Sequence, residues 1–282
     1  MSAATISPSI RNAFDLTGQV ALITGGSGLL GVQHASAIAE FGAVPVLLDV
    51  NAERGHCAAD EISAVFGVRS LFIETDIVSP DSVSAALEKT LDLFGRVDIL
   101  INNAANNPKP VSVPGGHPSR FERFSLEAWN ADLAVGLTGA FLCSQIVGRQ
   151  MAAAGKGVIL NVASDLALIA PDQRIYRIPG LPEEEQPAKA VTYSVVKAGL
   201  VGLTRYLATY WAENGIRANA ICPGGVFNEH EDAFVNRLVN LIPMGRMARL
   251  DEYKAAIAFL CSSASSYMTG SVLAVDGGRS CW

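Results

Sequence analysis

A glycine-rich turn between an apolar run and an amphipathic segment constrains this chain most. Val20-Ala21-Leu22-Ile23 is a short apolar run of the kind that forms a buried strand. It ends in Thr24-Gly25-Gly26-Ser27-Gly28-Leu29-Leu30-Gly31. The next residues carry Val32, Ala35, Ile38, Ala39 and Phe41 at helical spacing and close on Gly42. A turn of this composition, leaving a strand and opening a helix, lets backbone approach a pyrophosphate. The phosphate charge then sits among the free N–H groups at the helix N-terminus. A plain tight turn would explain the glycines but not their place between those two elements.

The pattern continues in the same alternation. Val44-Pro45-Val46-Leu47-Leu48-Asp49 reads as a second strand that ends on an acid. A carboxylate there can accept hydrogen bonds from ribose hydroxyls and repel a 2′-phosphate. Val50 and Asn51 follow it, with no Lys or Arg in the turn, which favours NAD over NADP. Arg54, one helical turn later, is the residue that speaks for NADP, and helix capping is the structural alternative for Asp49. A helix and a third strand, Ser70 to Thr75, lead to Asp76-Ile77, at the level where an adenine would lie. A helix over about Asp81 to Phe94 precedes Val97-Asp98-Ile99-Leu100-Ile101, which runs into Asn102-Asn103-Ala104-Ala105. Gly157 to Ser164, Ile216 to Ile221 and Ser271 to Val275 read as further strands. Strands alternating with helices of this length imply an α/β fold, a doubly wound parallel sheet with helices on both faces. Ligands of such sheets bind outside the carboxyl ends of the strands.

Two stretches interrupt the alternation. Residues 106–125 form a Pro/Gly-rich loop. Residues 165–190 carry Arg174, Tyr176, Arg177 and the run Glu183-Glu184-Glu185. Both spring from strand carboxyl ends, so they should wall a substrate pocket. Arg174 and Arg177 are candidate clamps for a substrate phosphate or carboxylate. Pairing with the Glu run is the equally good structural alternative. Leu126 to Met151 reads as one long helix, apolar on more than one side, which suggests a subunit interface.

Tyr193-Ser194-Val195-Val196-Lys197 places a phenol and an ammonium one helical turn apart. A nearby ammonium favours phenolate and lowers the phenol pKa from ~10. Such a phenol can exchange a proton near neutral pH, the acid/base half of a carbonyl–alcohol interconversion. Tyr176 is a rival phenol, but Gly180 stands where its lysine would be.

Composition narrows the field. The 282 residues are 50% hydrophobic with a net charge of −6, enough for one large α/β domain. The chain reads as a loose N-terminal arm, 1–15, and a single domain, 16–282. The acidic balance and the lack of a Lys/Arg cluster argue against nucleic acid. No uninterrupted apolar stretch approaches ~18 residues, which argues against a membrane span, and the N-terminus lacks the pattern of a secretion signal. Cys57, Cys143, Cys222, Cys261 and Cys281 and four scattered histidines show no metal-ligand spacing. Free thiols in a reducing cytoplasm are the expectation, with no metal.

Taken together, the Thr24–Gly31 turn, Asp49, Asp76, Asn102 to Ala105, Ser164, Tyr193/Lys197, Pro223-Gly224 and Asp276-Gly277-Gly278 resemble the short-chain dehydrogenase/reductase family, single-domain branch. The resemblance runs from about Leu16 to the C-terminus. It implies a Rossmann-type sheet of about seven strands, NAD(P) and hydride exchange with the carbinol carbon of a small-molecule substrate. It also implies a homodimer or homotetramer. On that resemblance Tyr193 is the general acid/base. Lys197 tunes it and holds the nicotinamide ribose, and Ser164 hydrogen-bonds the substrate oxygen. Gly25, Ser27, Gly28, Leu30, Gly31, Asp49, Asp76, Ile77, Asn103, Ala104, Ala105, Pro223, Gly224 and Val226 are the remaining cofactor contacts. Longer stretches, such as Ala170 to Tyr176, are loosely similar to bacterial enzymes of surface-sugar and nonulosonate pathways. A sugar or polyol is therefore the leading substrate class, ahead of a ketoacyl or steroid-like alcohol.

Three departures stand out. The turn reads T-G-x-x-G-x-x-G, a spacing more usual in sugar-nucleotide epimerases and dehydratases, so an enzyme of that kind with tightly held NAD is the alternative. Gly136 stands where the family has an Asn that holds a relay water for the lysine. A mid-helix Gly costs roughly 1 kcal/mol against Ala, so a packing or site reason is expected. Its presence also raises a non-catalytic NAD(H)-binding protein as a third reading. Asn228 stands where a Thr often follows Pro-Gly.

Overall fold

The computed structural model describes residues 9–106 and 116–282. Most of the 1–15 arm and the centre of the 106–125 loop lie outside these. After a helical turn α1 (Ile10–Ala13) come β1 (Val20–Thr24), α2 (Leu29–Glu40), β2 (Val44–Asp49), α3 (Ala52–Phe66), β3 (Leu71–Glu74), α4 (Pro80–Phe94) and β4 (Ile99–Asn102). The second half follows as α5 (Leu126–Leu133), α6 (Gly139–Ala154), β5 (Gly157–Val162), α7 (Val191–Tyr210), β6 (Ile216–Pro223), α8 (Asp232–Val239), α9 (Lys254–Cys261) and β7 (Val272–Val275). Strands and helices alternate through β4, and the second half carries the helix pairs α5/α6 and α8/α9.

All seven strands are parallel, in the order β3-β2-β1-β4-β5-β6-β7. The order reverses between β1 and β4, and a crevice opens at that switch point above the strand carboxyl ends. Alternate residues of each strand serve opposite faces. Ala21 and Ile23 of β1 pack with Ala35 and Ile38 of α2 and Ile257 of α9. Val20 and Leu22 pack with Val83 of α4, Val147 of α6 and Leu207 of α7. A strand buried on both sides must be apolar throughout, which is why β1 reads as an unbroken hydrophobic run.

Local signals set the boundaries. The Asn51 side chain caps α3 by accepting from Arg54 N (3.0 Å), so Asp49 is not the cap and its carboxylate is left for other work. Ser79 caps α4 with Pro80 in its first turn. The glycine turn is held closed by close packing. A Cβ on Gly31 would lie 2.1 Å from the Gly25 carbonyl oxygen, and Gly25 itself sits at φ +61°. Only glycine serves at either place.

The stretch expected as one long helix is continuous but not uniform. Between α5 and α6 the backbone widens into a π turn at Ala134–Thr138, centred on Gly136. Such π turns cluster at functional sites. The Leu126–Ala154 helical stretch is apolar and long enough to cross a membrane by length and composition alone. Here the apolar side chains pack instead: Ala140, Cys143, Ile146, Val147 and Met151 are buried in the fold.

Candidate active site

The crevice is a cavity of about 1090 Å³ whose wall collects most of the residues singled out by the sequence. Gly25, Gly28, Leu30, Asp49, Asp76, Ile77, Asn103, Ala104 and Ala105 line one end. Ser164, Tyr193, Lys197, Pro223, Gly224 and Val226 line the other. Ser27 and Gly31 stand behind the wall: Ser27 N donates to Asp49 Oδ2 (3.1 Å), and Gly31 is packed against Gly25.

The end that carries the glycine turn is built by hydrogen bonds between distant segments. Thr24 Oγ1 accepts from Asn103 N (3.0 Å) and Ala104 N (3.1 Å). Asn103 Nδ2 donates to the carbonyls of Thr24 (3.0 Å) and Gly25 (3.1 Å), which locks the glycine turn onto β4. Helix α2 begins at Gly28 without a side-chain cap, and Gly28, Leu29 and Leu30 face the cavity. Its first N–H groups therefore suit a phosphate. At the end of β2, Asp49 Oδ1 accepts from Asn51 N (3.2 Å) while the residue also lines the cavity. These residues fit a dinucleotide: glycine backbone for the pyrophosphate, a carboxylate for a ribose.

At the other end Ser164 follows β5 and Tyr193 and Lys197 lie on the first turns of α7. Lys197 Nζ donates to the Val162 carbonyl (2.8 Å), so the ammonium is held against the end of β5. Burial lowers its pKa to about 8. The expectation that Lys197 pulls the Tyr193 phenol down is not what this geometry delivers. Its Nζ lies 5.8 Å from the ring centroid, and burial pushes the phenol up, with the Ser164 hydroxyl opposing that rise. The rival phenol, Tyr176, also lines the cavity but is pushed up to about 12 by burial.

Arg174 and Arg177 do not line this cavity. Arg174 is exposed and pairs with Asp172 (2.6 Å), and Arg177 pairs with Glu183 (3.0 Å). The cations at the cavity are others. Lys189, from the end of the second insertion, lines the wall with its Nζ 3.8 Å from the Tyr193 ring centroid. Arg279, from the C-terminal tail, is buried and donates from Nη1 to Asp165 Oδ2 (2.8 Å). Asp165 Oδ1 in turn accepts from the Ser164 hydroxyl (2.8 Å). The Asp276-Gly277-Gly278 turn makes this reach possible, with the Asp276 carboxylate accepting from Gly278 N and Ser280 N. Nothing in the local sequence marks Arg279, which lies 114 residues from Asp165. Lys189 had one signal, its place just before the Tyr193 helix.

Gly136 finds its reason here. A Cβ at that position would lie 2.5 Å from Val196 Cγ1, between the Tyr193 and Lys197 turns of α7. A larger side chain there requires Val196 to shift. A second cavity of about 440 Å³ opens at this place, lined by Gly136, Val196, Asp132, Thr192, Tyr193 and Lys197.

A profile of the family described as short chain dehydrogenase matches residues 19–176. The chain belongs to the short-chain dehydrogenase/reductase family. A second profile, described as Enoyl-(Acyl carrier protein) reductase, matches residues 183–280. The D-threitol dehydrogenase of Mycolicibacterium smegmatis is 36% identical over 275 residues, 96% of this chain and 96% of that protein. Among solved structures, a gluconate 5-dehydrogenase from Burkholderia cenocepacia in complex with NADP and tartrate superposes with a TM-score of 0.83 at 30% identity. It covers 97% of this chain and 100% of that one. An NAD-bound xylitol dehydrogenase superposes with a TM-score of 0.80 at 26% identity, covering 93% and 99%. As a short-chain dehydrogenase/reductase, this chain is an oxidoreductase of CH–OH groups in small-molecule substrates, working with NAD(P).

Proposed function

We propose that this short-chain dehydrogenase/reductase oxidises a polyol or sugar-type secondary alcohol to the ketone with NAD. The observation that carries the reading is the meeting of Ser164, Tyr193 and Lys197 on the wall of one cavity whose far end is the glycine turn and Asp49. The relatives named for threitol, xylitol and gluconate support the substrate class. They point away from the epimerase or dehydratase alternative that the glycine spacing raised.

The bound nicotinamide supplies the hydride acceptor. The chain's own groups handle the proton and the oxygen. Tyr193 Oη takes the carbinol proton, and the Ser164 hydroxyl hydrogen-bonds the same oxygen as it changes charge. Lys197 keeps a positive charge below the phenol and holds the ribose. Asp49 favours NAD, since its carboxylate repels a 2′-phosphate and Arg54 does not line the cavity. With Gly136 in place of an Asn, the second cavity beside Lys197 gives water an alternative route for the proton, ending near Asp132.

The assembly we infer is a homodimer or homotetramer, formed through the outer faces of α6 and α7. Phe141, Val195, Tyr206 and Tyr210 are exposed there, and the two tyrosine rings stack at 5.5 Å. A monomer by light scattering would remove that part of the reading. The five cysteines are all free thiols, in keeping with a cytoplasmic location.

The test is a panel of polyols, aldonates, sugar phosphates and nucleotide sugars, each with NAD and with NADP, read by reduced-nicotinamide absorbance. Turnover of a polyol or sugar acid with NAD preferred supports the reading. Cofactor that survives purification, with conversion of a nucleotide sugar and no net reduction, would replace it with the epimerase reading.

A further inference from the structure

Among the described residues, the positive charge nearest the Tyr193 ring does not come from the helix that carries it. Lys189 Nζ lies 3.8 Å from the ring centroid, against 5.8 Å for Lys197 Nζ, one of whose N–H groups donates to the Val162 carbonyl. The segment bearing Lys189 is fixed at several points. Lys189 N donates to Gln173 Oε1 (2.8 Å), and Ala188 N donates to Ser119 Oγ (2.9 Å). Lys189 also lines both the main and the second cavity, so its side chain stands at the seam where Tyr193 faces each.

We propose that Lys189 is a second electrostatic positioning residue for the reaction: its ammonium over the Tyr193 ring stabilises the phenolate. The inference rests on the reading of Tyr193 as the acid/base. A cation ~4 Å above the ring centroid lies about 5 Å from the phenolic oxygen, close enough for a large interaction in a partly desolvated site. Burial brings the Lys189 pKa down to about 8. The amine is therefore charged at neutral pH, and its help fades as pH rises past that value. Among the described residues, the groups that share its surroundings include Tyr193 and Lys197 of α7, Asp165 after β5, Tyr176 and Arg279 on the main cavity, and Arg123, Glu127 and Asp132 on the second. Asp165 is the acid that opposes the loss of charge on Lys189.

The experiment is a phenol titration by ultraviolet difference absorbance in the whole protein, with Tyr193→Phe subtracted to isolate one ring. It needs no substrate. Lys189→Arg, whose guanidinium stays charged in the range where the phenol titrates, is expected to bring the Tyr193 midpoint about one pH unit below that of Lys189→Gln, tenfold in its ionisation constant. The parent is expected to lie near Lys189→Gln, because its amine has lost its charge before the phenol titrates, a pattern that a merely structural lysine would not produce. The alkaline-going limb of kcat/KM should move with the phenol. Equal Tyr193 midpoints in Lys189→Arg and Lys189→Gln, with NADH binding intact in both, overturn the inference. If the midpoints differ in this way and no alcohol is turned over, the inference stands and the dehydrogenase reading fails.

Discussion

Replacing Arg279 by Met tests how the tail supports the site. Arg279 and Asp165 are 2.8 Å apart with side chains 7% and 4% exposed, so the pair is dry. Removing one member of a buried pair costs about 3–5 kcal/mol, because the other charge stays buried. Met keeps much of the apolar stem, and Asp165 retains Ser164 Oγ and Leu166 N (2.8 Å), so the low end, about 3 kcal/mol, is expected. Unfolding entropy for 282 residues is about 0.6 kcal/mol/K at ~2.1 cal/mol/K per residue, which converts that loss to roughly 5 °C in Tm. The assay is urea and thermal unfolding followed by circular dichroism. Asp165→Asn combined with Arg279→Met should recover about half of the loss, since no unpaired charge is then buried. If the single variant melts within ~1 °C of the parent, the pair does not hold the tail and Asp165 needs no counter-charge.

Two further predictions come from packing and burial. Gly136→Ala should destabilise by about 1–2 kcal/mol, the Val196 clash outweighing the gain in helix propensity. Adding Val196→Ala should return most of it, measured as a double-mutant cycle in urea. His34 is fully buried with neither ring nitrogen partnered, and burial lowers its pKa to about 3 from 6.5. Between those values the unfolded chain binds a proton that the folded chain refuses, so stability rises with pH through this window. Going from pH 7.5 to 5 should cost about 2 kcal/mol through this residue. His34→Leu should flatten that slope in urea melts at the two pH values; an unchanged slope would clear His34.

The sheet and the cavity end that carries the glycine turn were legible because they rest on local patterns. Apolar runs, helical spacing and the glycine turn each declare themselves within a dozen residues, and Asp49 and Asn103 sit at strand ends fixed by those runs. The Ser164, Tyr193 and Lys197 set was legible through its order along the chain. Electrostatics at the site were not. Arg174 and Arg177 look like ligand clamps in a linear reading, yet Asp172 and Glu183 lie within hydrogen-bond reach of them. The buried cation that does reach the site, Arg279, depends on a tail that turns back at Gly277-Gly278. The meaning of Gly136 depends on Val196, which faces it from another helix. His34 gives no sign of burial without a partner, because that depends on which neighbours pack over α2 and not on the helix's own sequence.

The central claim is that Tyr193 moves the proton on the cavity wall it shares with Ser164 and Lys197. The direct measurement is Tyr193→Phe, with turnover on the best alcohol of the panel and NADH binding by fluorescence read on the same sample. The account predicts turnover reduced by at least ~100-fold, the usual scale of general acid/base catalysis, with NADH affinity within a few-fold of the parent. Parental turnover in the variant would contradict it.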